Sequence, residues 1–221
     1  MKTKTLLIAA AALVAGVVSS EAQVYSANIV GYANVVVPKT TFTLLSNPLN
    51  DGTNTADDVM AALPTKSTLQ LWNGTGFTIY TKSSSGFTTN SVAVNPAIPV
   101  GSGFFVSSAS LFTNTFVGTV VPGPGGNIST NVLPKTSLVL LGSILPVSGF
   151  FDDVGTNTFN LAATLPTKST VQLWNGASFT LYTKSSTGFT TNSVAVNPAY
   201  SIGQGFFISS ASATNWIQIE Q

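Results

Sequence analysis

The chain contains no cysteine and no histidine, and all eight of its cationic side chains are lysine. Each absence removes a class of chemistry. Without Cys there are no disulfides and no thiolate nucleophile, whatever the redox compartment. Without His, the Ser-His-Asp and Cys-His arrangements and most transition-metal sites are excluded. Without Arg there is no bidentate fork for phosphate or carboxylate. Charge of either sign is scarce, at 7 % of residues. Beyond residue 22, lysines 39, 66, 82, 135, 168 and 184 balance aspartates 51, 57, 58, 152 and 153 together with Glu220, so the net charge there is zero. A neutral, Arg-free chain lacks the basic footprint of a nucleic-acid binder, and no nucleic-acid partner is expected. Stability must come from apolar burial, for which 44 % hydrophobic residues and fourteen Phe supply the material. The low charge also leaves little repulsion between neighbouring molecules.

The opening stretch, MKTKTLLIAAAALVAGVVSSEAQ, reads as a secretory signal peptide. Lys2 and Lys4 precede an apolar run from Leu6 to Val18, and Ser20-Glu21-Ala22 offers small residues for cleavage. The run is short for a retained signal anchor, and cutting after Ala22 leaves a mature chain that starts at Gln23. No later apolar run is long enough to span a bilayer. The expectation is a secreted protein in the periplasm, at the cell surface or outside the cell, with no transmembrane segment in the mature chain.

What the sequence has in abundance is itself, twice. Leu63 to Ser110 matches Leu165 to Ser212 at a constant offset of 102, with 38 of 48 paired positions identical. Upstream, VVPKT at Val36 pairs with VLPKT at Val132, and GTNT occurs at Gly52 and Gly155. The offset changes there, and the reading places an insertion, PVSGFFD, near Pro146. Identity this high reaches residues expected on the surface, such as Lys82 and Ser83, so it records a recent copying event and does not mark a site. The organisation read from this is 1–22 signal peptide, 23–121 first β-module with an N-terminal extension, 122–127 Pro/Gly linker, and 128–221 second β-module.

Within a module the apolar period is two. STLQLW alternates Leu69 and Leu71 with Gln70 and Trp72; FTIYT alternates Phe77 and Ile79 with Thr78 and Tyr80. Asn73-Gly74 between them tolerates the positive φ of a tight turn. An odd-numbered loop gathers Leu69, Leu71, Phe77 and Ile79 on one face, whereas an even one mixes them with Trp72 and Gln70. The amphipathic choice is the odd loop. Further strands are expected at Asn34–Val37, Phe42–Ser46, Ser91–Val94, Gly103–Ser108 and Asn114–Val120, with counterparts in the second copy. One helix per module is expected: Thr55 as N-cap, then Ala56–Leu63 stopped by Pro64, and Thr158–Leu165 stopped by Pro166. The fold class is mainly β, two tandem β-sandwich or partly open barrel modules, each with one short helix.

Few residues invite chemistry. Asp57 and Asp58 form a carboxylate pair that acid–base work or, with Asp51, a Ca²⁺ ion would use. Yet adjacent helical side chains diverge, the first turn favours acids for its dipole, and the second copy has Phe159 and Asn160 there. PVGSGFF and SIGQGFF contain Gly-x-Gly, but β-formers follow where a phosphate loop needs a helix. The best binding candidates are Trp72, Tyr80 and Gln70, repeated as Trp174, Tyr182 and Gln172. In the odd-loop register these lie opposite the Leu/Phe/Ile face, where rings stack on sugars and amides bind hydroxyls. The alternative is a sheet buried on both faces, which makes Trp72 core. No catalytic residue, metal ligand or cofactor site is assigned.

QVYSANIVGYANVVVPKTTFTLLSNPLN and the later LQLWNGTGFTIYT…GSGFFV carry a resemblance. They are similar to a loosely defined group of uncharacterised secreted bacterial β-rich tandem-module proteins. In that group a signal peptide precedes a Gly-Tyr strand, an L-L-S-N-P-L strand, a Trp hairpin and a G-x-G-F-F strand. The resemblance implies an exported envelope or extracellular protein and carries no established activity.

The leading expectation is a non-catalytic exported structural or adhesive, surface-assembly protein that self-associates into oligomers or filaments. If the contact between its modules recurs head to tail between molecules, open filaments follow. A strand from Gln23 to Val37 adding to a neighbour's sheet edge is a second route. The alternative is a tandem carbohydrate-binding protein, with glycan as partner and avidity from two linked weak sites. A carboxylate hydrolase built on Asp57 comes third.

Overall fold

The computed structural model describes residues 30–121, 128–152 and 159–219. The expected signal peptide, residues 23–29, the expected linker 122–127 and the second GTNT lie outside the described residues. In the first copy the chain runs β1 (Val30–Val37), β2 (Phe42–Ser46), α1 (Ala56–Val59), β3 (Thr68–Trp72), β4 (Phe77–Ser83), β5 (Gly86–Thr89), β6 (Val92–Val94), β7 (Gly103–Ser107) and β8 (Phe112–Thr119). The second copy runs β9 (Ile128–Leu133), β10 (Leu138–Leu141), β11 (Gly149–Phe150), α2 (Leu161–Thr164), β12 (Thr170–Trp174), β13 (Phe179–Ser185), β14 (Gly188–Thr191), β15 (Val194–Val196), β16 (Ala199–Tyr200), β17 (Phe206–Ser209) and β18 (Thr214–Ile219).

Each copy builds one six-stranded antiparallel sheet, in the order β2-β7-β3-β4-β5-β6 or β10-β17-β12-β13-β14-β15. Neither sheet closes into a barrel. Each copy adds a two-stranded ribbon, β1 with β8 or β9 with β18. In the first copy one sheet face carries Leu45, Leu69, Phe87, Phe104 and Val106. It packs against Ala33, Val37 and Phe116 of the ribbon and Ala56, Val59 and Met60 around α1. The second core repeats the plan with Val171, Phe189, Phe206 and Ile208 against Leu133 and Trp216. The opposite sheet faces meet each other: Leu44 and Phe105 from one, Leu140 and Phe207 from the other. The order of layers is therefore ribbon, sheet, sheet, ribbon. The inner strand β7, next to the edge strand β2, is covered on both sides, which is why GFFV reads as an unbroken apolar run. Each fully buried Phe or Leu contributes about 1.5–3 kcal/mol of transfer free energy.

The hairpin register is even, contrary to the amphipathic expectation. Trp72 pairs with Phe77, Gln70 with Ile79, Leu71 with Thr78 and Leu69 with Tyr80. The loop is Asn73 to Gly76. Asn73 Oδ1 accepts the Thr75 and Gly76 N–H groups at 3.1 and 2.9 Å, and Asn73 N donates to Gly76 O at 2.9 Å. Asn175 makes the same closure with Ala177 and Ser178. Beside the turn Trp72 and Phe77 are covered by the other copy, and only farther along does Ile79 reach solvent, so no continuous solvent face selects an odd loop; the Asn-nucleated turn sets the register.

The helices are shorter than expected, Ala56–Val59 and Leu161–Thr164, a single turn each. Thr55 stands at the N-cap position but makes no cap bond; its hydroxyl donates to Asp58. The insertion also falls elsewhere. Phe151 N donates to Pro198 O as Ala56 N does to Pro96 O, and Asp152 N donates to Asn197 as Asp57 N does to Asn95. Phe150-Phe151-Asp152 thus occupies the place of Thr55-Ala56-Asp57, and the extra residues lie between Asp152 and Leu165. Among the described residues no helix is long and apolar enough to cross a membrane.

Candidate functional site

The duplicated hairpins meet in the seam between the two sheets. On β3, Trp72 shares a face with Gln70, Phe77 and Ile79, and that face turns to the other copy. The Trp72 indole N–H donates to the backbone carbonyl of Leu138, in β10, at 3.0 Å. Trp174 donates to the carbonyl of Phe42, in β2, at 2.7 Å. Phe42 and Leu138 hold equivalent places in the two copies, so the two bonds are one contact made twice with roles exchanged. Both carbonyls belong to outer strands of their sheets, and the indoles cap edges that would otherwise be open to pairing.

The rings repeat the exchange. Trp72 sits edge-on to Phe207 at 5.3 Å, and Trp174 edge-on to Phe105 at 5.4 Å. Phe77 contacts Phe207 and Phe179 contacts Phe105. Backbone bonds close one end: Ser46 N to Gly203 O at 2.8 Å, and Gly142 N to Gly101 O at 2.9 Å. Gly101 and Gly203 have φ near +80° and +73°, so Gly-x-Gly is the turn that brings this carbonyl across. The seam is a pseudo-two-fold, isologous contact. It uses the same surface of both copies and is satisfied within one chain, which removes the head-to-tail argument for filaments through this face. The strand-addition route also changes, because Val30–Val37 pairs along its whole length with β8.

The candidate sugar-binding residues are divided. Trp72 and Gln70 face the seam, as do Trp174 and Gln172, while Tyr80 and Tyr182 pack against the two separate cores. A groove of about 180 Å³ remains along the seam, lined by Phe42, Gln70, Phe77, Phe105, Trp174 and Phe179. Apart from the Gln70 amide its side chains are aromatic, and it offers no acid or base. Phe42, Phe105 and Phe207 were not singled out by sequence; for Phe105 and Phe207 the signal was the absence of alternation in GFF.

The acids do not converge. Asp57 forms an ion pair with Lys82 at 2.8 Å, and Asp58 accepts the hydroxyls of Thr55 and Thr53. Those hydrogen bonds, Thr55 first, hold the Asp58 carboxyl below its ordinary value. Asp51 spends Oδ1 on the Thr53 and Asn54 backbone. The walls around Asp51 and Asp58 border an open cleft of about 670 Å³ in the first copy. Among the described residues no three His, Cys, Asp or Glu side chains are grouped to hold a metal ion. No protein-family model matches the chain, and no curated protein or solved structure does either.

Proposed function

We propose that this is a non-catalytic exported structural protein whose molecules associate through the outer faces of their ribbons. One observation carries the reading. On β1 and β8 the outward positions are Val30, Tyr32, Asn34 and Val36, opposite Thr119, Val117, Thr115 and Thr113. Tyr32 is 76 % exposed, and Val30, Val36 and Val117 are each more than half exposed. Neither strand carries a charged residue. The second ribbon turns out Val132 and Ile217 in the same way. Edges and faces that stay monomeric are guarded by Lys, Pro or bulges; these faces are not, and exposed apolar patches of this kind mark interaction surfaces. Export rests on the leader sequence.

The test is light scattering coupled to size exclusion on the chain from Gln23, with negative-stain microscopy. Oligomers that grow with concentration are expected, and Tyr32→Lys with Val117→Lys, facing each other across the ribbon, should reduce them. A monomer at every concentration overturns the reading. Glycan binding is the second reading, favoured by the aromatic seam groove and the Gln70 amide beside it. It expects an oligosaccharide to shift tryptophan emission and Gln70→Ala to abolish the shift.

A further inference from the structure

We infer that the cleft beside β8 in the first copy is a docking site for an extended, basic peptide segment of another protein, which adds as a strand to the free edge of β8. The inference goes beyond the association of whole molecules. That association uses the outward side chains of the ribbon, whereas this site uses the backbone at its edge.

The free edge follows from the ladder. Thr119 N donates to Asn50 O at 2.8 Å, and Asn50 N donates to Thr119 O at 2.9 Å. Both backbone groups of Thr119 therefore point away from β1. In an antiparallel pair the same holds for every second residue, here Val117 and Thr115. Among the described residues no hydrogen bond reaches the N–H or C=O of these two. Both line the cleft of about 670 Å³, so their free groups open on it. The two positions stand roughly 6.8 Å apart, the spacing of alternate residues in an extended chain. A strand pairs with both at once. The bridge between Asn50 and Thr119 closes the edge beyond them and sets one end of the site. The second copy does not repeat it: Pro146 stands in the place of Asn50 and has no N–H for such a bridge.

The rest of the lining says which strand fits. Leu49, Val59 and Ala61 offer apolar contact for alternate side chains of an added strand. Asp51 and Asp58 line the cleft too, and each is held by one oxygen. Asp51 Oδ1 accepts the Thr53 and Asn54 N–H groups, and Asp58 Oδ2 accepts the Thr53 and Thr55 hydroxyls. Asp51 Oδ2 and Asp58 Oδ1 accept no bond among the described residues. No lysine lines the cleft, and Lys82 is engaged by Asp57. Two fixed carboxylates without a counter-ion beside an open edge favour a segment bearing Lys or Arg and repel an acidic one. The chain's own strands do not supply it: β1 is paired along its length, and the edge strands β6 and β15 carry no basic residue.

The experiment follows amide hydrogen exchange by NMR on the isotope-labelled chain from Gln23. The probes are short acetylated peptides of alternating Val and Thr in which a single Lys, or a single Glu, is walked through the positions. Without peptide the Thr115 and Val117 amides should exchange fast. With the best lysine peptide at about ten times its dissociation constant they should exchange about tenfold more slowly. The matching glutamate peptide should bind about tenfold more weakly, and Asp51→Asn with Asp58→Asn should remove that preference. Val117→Pro should abolish binding; its N–H points away from β1, so proline is compatible with the ladder. The charge arm needs no backbone change and decides the matter if Val117→Pro does not fold. The inference is overturned if no peptide slows the two amides, or if lysine and glutamate peptides bind alike. It is also overturned if both amides are already slow without peptide, since the chain itself or a second copy then fills the edge. Tyr32→Lys, on the outer face, should leave peptide binding unchanged even if it abolishes association of whole molecules.

Discussion

Ser46 and Gly142 are the same residue position in two copies of one module, and they touch. The pseudo-two-fold packing brings this position, which lies at the axis, against its own counterpart, where two side chains of ordinary size cannot both fit. Gly142→Ala should cost about 1–3 kcal/mol by overpacking, and Ser46→Gly should recover only part of it, because the Gln204 carbonyl also lies 2.9 Å from the new Cβ. For a chain of this size each kcal/mol lowers the melting temperature by about 2–4 °C, read by circular dichroism. Gly205→Ala should be worse and unrelieved by Ser46→Gly, because its Cβ would meet the Leu45 carbonyl, which is backbone and cannot turn aside.

Trp72→Phe and Trp174→Phe keep a ring in the seam but remove the indole donor. Each leaves a carbonyl, Leu138 O or Phe42 O, without that bond; neither is fully buried, and the cost should be about 0.5–1.5 kcal/mol. The two losses belong to one contact and should not simply add in urea unfolding. Equal stability of both variants with the wild type would show that the bonds contribute nothing.

The Asp57–Lys82 pair lies near the surface, 12 % exposed on the lysine side and 34 % on the acid. Asp57→Asn should cost no more than about 1 kcal/mol, with a loss that shrinks as salt is added. Chemical denaturation at two ionic strengths measures this.

Asp58 has a folded pKa below its ordinary 3.8, because Thr55 and Thr53 donate to the carboxylate. A depressed folded value means that the stabilisation is complete above the unfolded pKa and is lost as the pH falls through the folded one. The stability gap between wild type and Asp58→Asn should be constant from neutral pH down to about pH 5 and vanish toward about pH 2. A gap that persists at the acid end would show that it does not come from the carboxylate.

Much of the fold was legible. Phe42–Ser46 is a strand at the expected residues, the other expected strands fall within two or three residues of theirs apart from a longer β1, and Asn-Gly marks the hairpin turn in both copies; β5, β14, β11 and β16 were not anticipated. What misled was the rule that alternation separates core from solvent. In β3 both sides are core: Leu69 packs toward α1 and Trp72 toward the other copy. Alternation there distinguishes two interiors, so it carried no information about which loop length closes the hairpin. The counterpart of Asp57 was missed for another reason. Asp152 is equivalent through its Asn197 partner and its place against Gly188, neither of which a linear offset reveals.

By itself the sequence determined the β class, the duplication, the turn chemistry and which side-chain types it has to work with, because these follow from residue types and local spacing. It also determined that the two modules would be nearly alike. Tertiary structure decided what that likeness is used for. Whether two similar surfaces meet head to tail or face to face depends on which strand ends and which carbonyls come within reach across the seam. That is a relation between residues roughly a hundred positions apart. The Trp72 bond to Leu138 and the Trp174 bond to Phe42 are such relations, and they turn a repeated hairpin into a reciprocal clasp.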